Sequence, residues 1–173
     1  NILEIESIHT GEAYQIQVLL PEDYNENEIY QVVYIVDGYY HFDNMRPAFT
    51  EEAHLQDVIL VGIAYRDAPL AISTSSPNSS VGDLLDNSIK VSELRSIDLT
   101  YPKNLDSTGG GGDLFYEFLA TELVPLIDQR YSVDTENRTI MGHSYGAYFT
   151  MFQMMEYYQN PLFKNINCIR MQK

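Results

Sequence analysis

The sequence predicts an α/β fold built on a mostly parallel sheet, with an antiparallel hairpin at its start. Three observations predict it. Residues 32–36 and 57–63 are continuous apolar runs rich in β-branched side chains, the pattern of strands buried on both faces of a helix-covered parallel sheet. The segment between them can form a helix, and a strand–helix–strand unit implies a right-handed crossover. Finally, Gly142-His143-Ser144-Tyr145-Gly146 stands between an apolar strand and a helix-capable segment, where the chain must turn sharply.

The elements follow in chain order. Residues 1–8 alternate around Ile2, Glu4, Glu6 and Ile8, and Thr10-Gly11-Glu12 makes a turn. Residues 14–20 then place Tyr14, Ile16, Val18 and Leu20 on one face at period two, until Pro21 stops the strand. Together these form a hairpin at the sheet edge. The strand 32–36 is bounded by Asp37-Gly38, and residues 43–55 can bring Met45, Phe49, Ala53 and His54 towards one helical face. Residues 66–112 read as irregular. Their Ser/Asn cluster at 73–80 carries turn chemistry without periodicity, and four glycines close the stretch at 109–112. Such a stretch is either a solvated insertion or a loop that shapes a pocket. Residues 67–94 are expected to be its most mobile part, since neither period is present.

Asp113 can cap the next helix, in which Leu114, Phe115, Phe118, Leu119, Leu123, Leu126 and Ile127 recur at helical spacing to about Arg130. Pro125 should bend it. A strand at 138–141 leads into the glycine-flanked serine, and residues 147–158 are apolar enough for a buried helix. No internal repeat is visible, and residues 1–173 are expected to form a single domain.

Composition excludes several classes of function. Lys and Arg number 10 against 25 Asp and Glu, a formal charge of −15. That balance disfavours phosphate backbones and anionic lipid, both of which call for basic residues. One cysteine, Cys168, rules out an intrachain disulfide and a metal site with several thiolates. No apolar run reaches the roughly 18 residues that span a bilayer. The first residue is Asn1, and no basic-then-apolar leader precedes the hairpin. Both a cytoplasmic site and export with a leader already removed fit these features.

The Gly-x-Ser-x-Gly sequence carries the chemistry. Its physical logic is a serine held at the apex of a strained strand-to-helix turn, with glycines where a Cβ would strike the adjoining strand and helix. The hydroxyl of Ser144 is then presented over a helix N-terminus, and the Tyr145 N–H faces the oxyanion of an acyl-transfer intermediate. A structural strand–helix turn is the plainer reading, but the flanking strand and helix favour a nucleophile. A second oxyanion donor must come from another strand's C-terminal loop. After Val36, Gly38 would let the backbone swing so that the Tyr39 N–H faces Ser144, although Asp-Gly also makes simple turns. His143 should point into the fold and is not the candidate base. His9 falls in the hairpin and His54 in a helix, which leaves His41 as the substitute base within the chain.

These residues carry a family resemblance. Leu20-Pro21 through Tyr24, Tyr34-Ile35-Val36-Asp37-Gly38, Val61-Gly62-Ile63, Arg95-Ser96-Ile97-Asp98-Leu99-Thr100, the glycine run, Phe115 to Phe118-Leu119, Glu122-Leu123 and the serine motif resemble the esterase D / enterochelin esterase-like group of α/β-hydrolases. The match runs to about Lys164. The resemblance implies an α/β-hydrolase fold, a small-molecule ester substrate, a Ser144 nucleophile, oxyanion N–H groups from Tyr39 and Tyr145, and neither metal nor organic cofactor. In that fold the triad acid and histidine follow the serine, whereas only 29 residues follow Ser144 here.

Two further departures shape the expectations. Residues 67–94 look like extra length, and residues 165–173 do not resemble the family. The chain is thus read as lacking the C-terminal strands. The strand leading to Ser144 would then be an exposed apolar edge and a site of self-association. Two functions follow: a serine ester hydrolase whose base lies outside this chain, or a binding protein on a hydrolase scaffold that lacks the triad acid and histidine.

Overall fold

The computed structural model describes residues 1–52, 54–66, 81–101 and 109–169. Six strands form one sheet in the order β1-β2-β4-β3-β5-β6. β1 (Ile2–Glu6) and β2 (Ala13–Leu19) form the antiparallel hairpin at one edge. β2 continues antiparallel against β4 (Val58–Tyr65), and β4, β3 (Tyr30–Val36), β5 (Val133–His143) and β6 (Asn165–Ile169) run parallel.

The strand patterns place the core on both faces of this sheet. In β3, Val32, Tyr34 and Val36 pack on one face with Tyr14, Ile16 and Val18 of β2. That face is covered by Phe115 and Phe118 of α3 (Gly112–Phe118), Ile127 of α4 (Val124–Arg130) and Phe149 of α5 (Tyr145–Glu156). On the opposite face, Ile35, Leu60 and Met141 meet Phe42 and Phe49 of α1 (Gly38–Glu51). β4 is buried at every position, as its unbroken apolar sequence demands. Between α3 and α4, Leu119–Leu123 winds as a π-helical turn. Pro125 stands just beyond it, after Val124. Its ring would strike the carbonyl four residues back in a regular α-helix, and the wider turn relieves that clash.

Several expectations need correction. α1 begins at Gly38 rather than residue 43 and ends at Glu51, so His54 lies exposed in the following turn and not in a helix. The stretch read as irregular contains an 18-residue helix, α2 (Val81–Asp98). The expected mobility of residues 67–94 therefore meets a helix from Val81 onwards, while 67–80 lie outside the described residues. Gly111, not Asp113, occupies the N-cap of α3, and Asp113 sits in its first turn, where its charge complements the helix dipole.

α5 is only half buried. Phe149, Thr150 and Gln153 face the core, whereas Tyr148, Met151, Met154 and Met155 are exposed. The tail that did not resemble the family folds as β6 and pairs with β5 from Thr139 to His143. The strand leading to Ser144 is therefore internal, and β6 is the outer strand instead.

Candidate active site

Ser144 stands between β5 and α5 with φ 55° and ψ −116°, and it is exposed. A non-glycine residue held at positive φ stores about 1–3 kcal/mol of backbone strain. The flanking glycines show why the turn persists. An ideal Cβ on Gly142 would lie 2.3 Å from both the carbonyl carbon and oxygen of Gly146. A Cβ on Gly146 would lie 2.5 Å from Cγ2 of Val36. The start of α5 thus rests directly on its own strand and on β3.

The end of β3 is built differently from the sequence expectation. The backbone swings at Asp37, which has φ 58° and ψ 40°, a left-handed conformation that Asp tolerates better than most residues. Gly38 has no positive φ; it is needed because a Cβ there would lie 2.8 Å from the Ile63 nitrogen. Asp37 occupies the N-cap of α1 without a side-chain capping bond. Its carbonyl accepts the N–H groups of Tyr40 and His41 at 2.9 and 3.2 Å. The Tyr39 N–H lies in the first turn, where the helix offers no acceptor. The Tyr145 N–H has the same status at the start of α5. The parallel pairing of Ile35 with Met141 brings these two helix starts to the same C-terminal end of adjacent strands.

The Asp37 carboxylate is fully buried and is held by Arg95 of α2. Nε and Nη2 of Arg95 donate to Oδ1 and Oδ2 at 2.7 and 2.9 Å. Burial opposes the charge on Arg95, but the hydrogen bond and charge of Asp37 outweigh it and raise the guanidinium pKa. The Arg95 Cζ lies 5.6 Å from the Tyr145 ring centre and 5.7 Å from that of Tyr40, within cation–π range of both. One cation thus ties α2 to the turns on either side of Ser144. The family resemblance rests partly on Arg95, yet nothing in its sequence neighbourhood points to a role in the site. Its partner is 58 positions away, and no local pattern signals such a pair.

The histidines are now placed. His41 is half-buried in the first turn of α1, and its ring meets that of the partly exposed His143 edge-to-face, with centres 5.4 Å apart. His143 therefore faces its neighbour histidine rather than the core. Burial, with the nearby His143 and Arg95, lowers the His41 pKa against the opposing charge of Asp37. Among the described residues no histidine is hydrogen-bonded to Ser144. His9 instead meets the Thr121 hydroxyl at 2.8 Å.

One turn beyond Arg95, the buried Asp98 accepts the Tyr14 hydroxyl at 2.6 Å and is also bonded by Tyr65. Burial pushes its pKa up to about 6, although both hydrogen bonds pull the other way. A folded-state pKa above the unfolded value means the native state favours the protonated form. The stabilisation is complete below about pH 4 and is lost as pH rises through about 6. At about 1.4 kcal/mol for each pH unit between the two values, the change is a few kcal/mol. The stability of the native chain relative to Asp98→Asn is expected to fall by that amount between pH 4 and 7.5. Urea unfolding of both proteins at the two pH values measures it, and a pH-independent difference would contradict the assignment.

Comparison with known proteins fits this geometry. A family model described as "Putative esterase" matches residues 7–82 and 85–169. The match thus runs through much of the stretch expected to be extra length and into the tail expected to be unlike the family, as far as residue 169. The apo-salmochelin esterase of Escherichia coli O6:H1 is 22% identical over 149 residues, covering 84% of this chain and 43% of that protein. The BES protein from Bacillus cereus superposes with a TM-score of 0.73 at 22% identity, over 96% of this chain and 59% of its own. Siderophore hydrolase EstB from Aspergillus nidulans gives 0.70 at 24% identity, over 94% and 54%. The chain therefore spans a little under half of the curated relative and somewhat more than half of these two structures. With this match over nearly its whole length, the chain belongs to the putative esterase family and has the α/β-hydrolase fold.

Proposed function

We propose that Ser144 is the nucleophile of a hydrolase acting on small-molecule carboxylic esters. The observation that carries this reading is the exposed serine at positive φ, set between the first turns of two helices that start at adjacent strand ends. In the proposed reaction the Ser144 hydroxyl oxygen bonds to the ester carbonyl carbon as a base takes its proton. The carbonyl oxygen becomes an oxyanion, which accepts the Tyr39 and Tyr145 N–H groups. Arg95 adds positive charge beside the Tyr145 turn, where it favours that negative charge. Collapse expels the alcohol, and water then releases the acyl group from Ser144. No metal or organic cofactor enters these steps. The base and its carboxylate partner are assigned to polypeptide outside these 173 residues, because the described histidines make no bond to Ser144. The names of the relatives, a salmochelin esterase and a siderophore hydrolase, support an ester substrate without specifying one for this chain.

The test is hydrolysis of a short-chain p-nitrophenyl ester by the 173-residue chain beside its Ser144→Ala variant. A serine hydroxyl without its base is a weak nucleophile. Any Ser144-dependent rate is expected to stay within the roughly 10³–10⁴-fold over water left when triad members are removed. A form continued through the further strands of its relatives is expected to turn the ester over, and there Ser144→Ala should lower kcat by about 10⁴-fold or more. An enzymic rate from the monomeric 173-residue chain would overturn the placement of the base and make His41 the residue to mutate next. Full activity of the continued Ser144→Ala variant would overturn the nucleophile.

A further inference from the structure

We propose that the imidazoles of His41 and His143 form a two-histidine site for a borderline transition-metal cation, with Zn²⁺ as its probe, and that the bound ion blocks Ser144. This deepens the esterase reading by naming an inhibitor class for the same site. Metal binding is nonetheless read without turnover, so the two proposals fail separately.

Geometry carries the argument. An imidazole bound through nitrogen at about 2.1 Å sets its ring centre roughly 3.2 Å from the ion. Two such rings at a tetrahedral angle then lie roughly 5 Å apart. The rings of His41 and His143 are 5.4 Å apart and meet at 73° rather than stacking. Among the described residues neither imidazole has a hydrogen-bond partner, so no protein bond must break when a nitrogen turns to an ion. Neutral imidazole is the ligand form.

The surroundings admit a cation. Arg95 is the nearby positive charge, and the buried Asp37 carboxylate compensates it at 2.7 and 2.9 Å. The chain as a whole carries −15, which raises the local concentration of cations. No group of three or more His, Cys, Asp or Glu that could hold a metal ion is found among the described residues. Water is left to complete the coordination, and Ser144 follows His143 directly in the chain. An open site of this kind suits a reversible inhibitor. Borderline divalent ions that favour imidazole are expected to bind, and Mg²⁺, which prefers oxygen ligands, is not.

The experiment is calorimetric titration of the 173-residue chain with ZnCl₂, together with NMR of the four histidine rings. One equivalent is expected to bind, with the ring signals of His41 and His143 shifting and those of His9 and His54 unmoved. His41→Gln and His143→Gln should each weaken binding about tenfold or more, while His9→Gln and His54→Gln leave it unchanged. The ring shifts are read on the native chain, so a variant that fails to fold does not decide the matter. Equal binding by the His41→Gln/His143→Gln double variant, or unmoved rings at millimolar Zn²⁺, would overturn the site. In an ester-hydrolysing continued form, inhibition by Zn²⁺ that His143→Gln relieves is expected. Undiminished hydrolysis with the site filled would overturn the blocking claim.

Discussion

Arg95→Ala is expected to destabilise the fold by about 3–5 kcal/mol, the range for removing one partner of a buried ion pair. The size follows from the partner left behind. The Asp37 side chain is fully buried, whereas that of Arg95 is 16% exposed, so the carboxylate has no route to water when the guanidinium is lost. Asp37→Asn is expected to cost less, because Asn also accepts the left-handed conformation at this position and the freed guanidinium can reach solvent. Arg95→Lys should fall between native and Ala, since a lysine keeps the charge but not the two-pronged bond. The double variant Asp37→Asn/Arg95→Gln should be more stable than Arg95→Ala alone. Urea unfolding of the set gives the order. If Arg95→Ala lies within about 1 kcal/mol of native, the pair contributes no more than a surface bridge and the argument fails. In a hydrolysing form the same substitution should also lower kcat, because Asp37 sets the turn that carries Tyr39, the proposed second oxyanion donor.

What the sequence discloses about this molecule depends on whether the relevant physics is local. The hairpin shows itself because one buried face at period two is enough to place Tyr14, Ile16 and Val18. β3 and β4 show themselves because burial on both faces leaves unbroken apolar runs, Val32 to Val36 in one and Val58 to Tyr65 in the other. The serine turn is legible for the same reason, since its glycines answer clashes within a few residues or with the adjacent strand. α2 is hidden by its neighbourhood, for the Ser/Asn cluster at 73–80 dominates any window that includes the start of the helix. β6 is hidden by composition, because Asn165-Ile166-Asn167-Cys168 is a short outer strand without the unbroken apolar run that marks β3 and β4.

The misread helix, α5, is more instructive. Apolar content suggests burial, yet Thr150 and Gln153 are buried while Met151, Met154 and Met155 are exposed. Composition counts apolar groups and is silent on which face the fold turns inward. The Asp37–Arg95 pair is the extreme case of non-local physics. Asp-Gly reads as a turn in which glycine supplies the unusual backbone, and only the distant arginine explains why aspartate supplies it instead.

Gly142→Ala is expected to be more damaging than Gly146→Ala, although both glycines belong to one motif. The atoms that a new Cβ would meet decide the difference. At Gly142 they are the carbonyl carbon and oxygen of Gly146 at 2.3 Å and the Ala147 nitrogen at 2.7 Å. All three are backbone, so relief requires α5 to move as a body off β5. Such overpacking belongs with the exceptional losses of about 4 kcal/mol or more. For a chain of this size that lowers Tm by roughly 10 °C. At Gly146 the close contact is Cγ2 of Val36 at 2.5 Å, the end of a side chain, and a loss of about 1–3 kcal/mol is expected.

The two cases separate in a double-mutant cycle. Val36→Ala leaves a void where the Gly146→Ala methyl would go, so the pair should be less harmful together than the sum of the single losses. No such rescue is available to Gly142→Ala, because truncating a side chain does not remove a backbone carbonyl. Thermal unfolding of the two single glycine variants, with Val36→Ala alone and combined with each, reads both claims. Equal losses for the two glycine variants, or rescue of Gly142→Ala by Val36→Ala, would show that the turn is not held by backbone contact between β5 and α5. The strained conformation of Ser144 would then need another support.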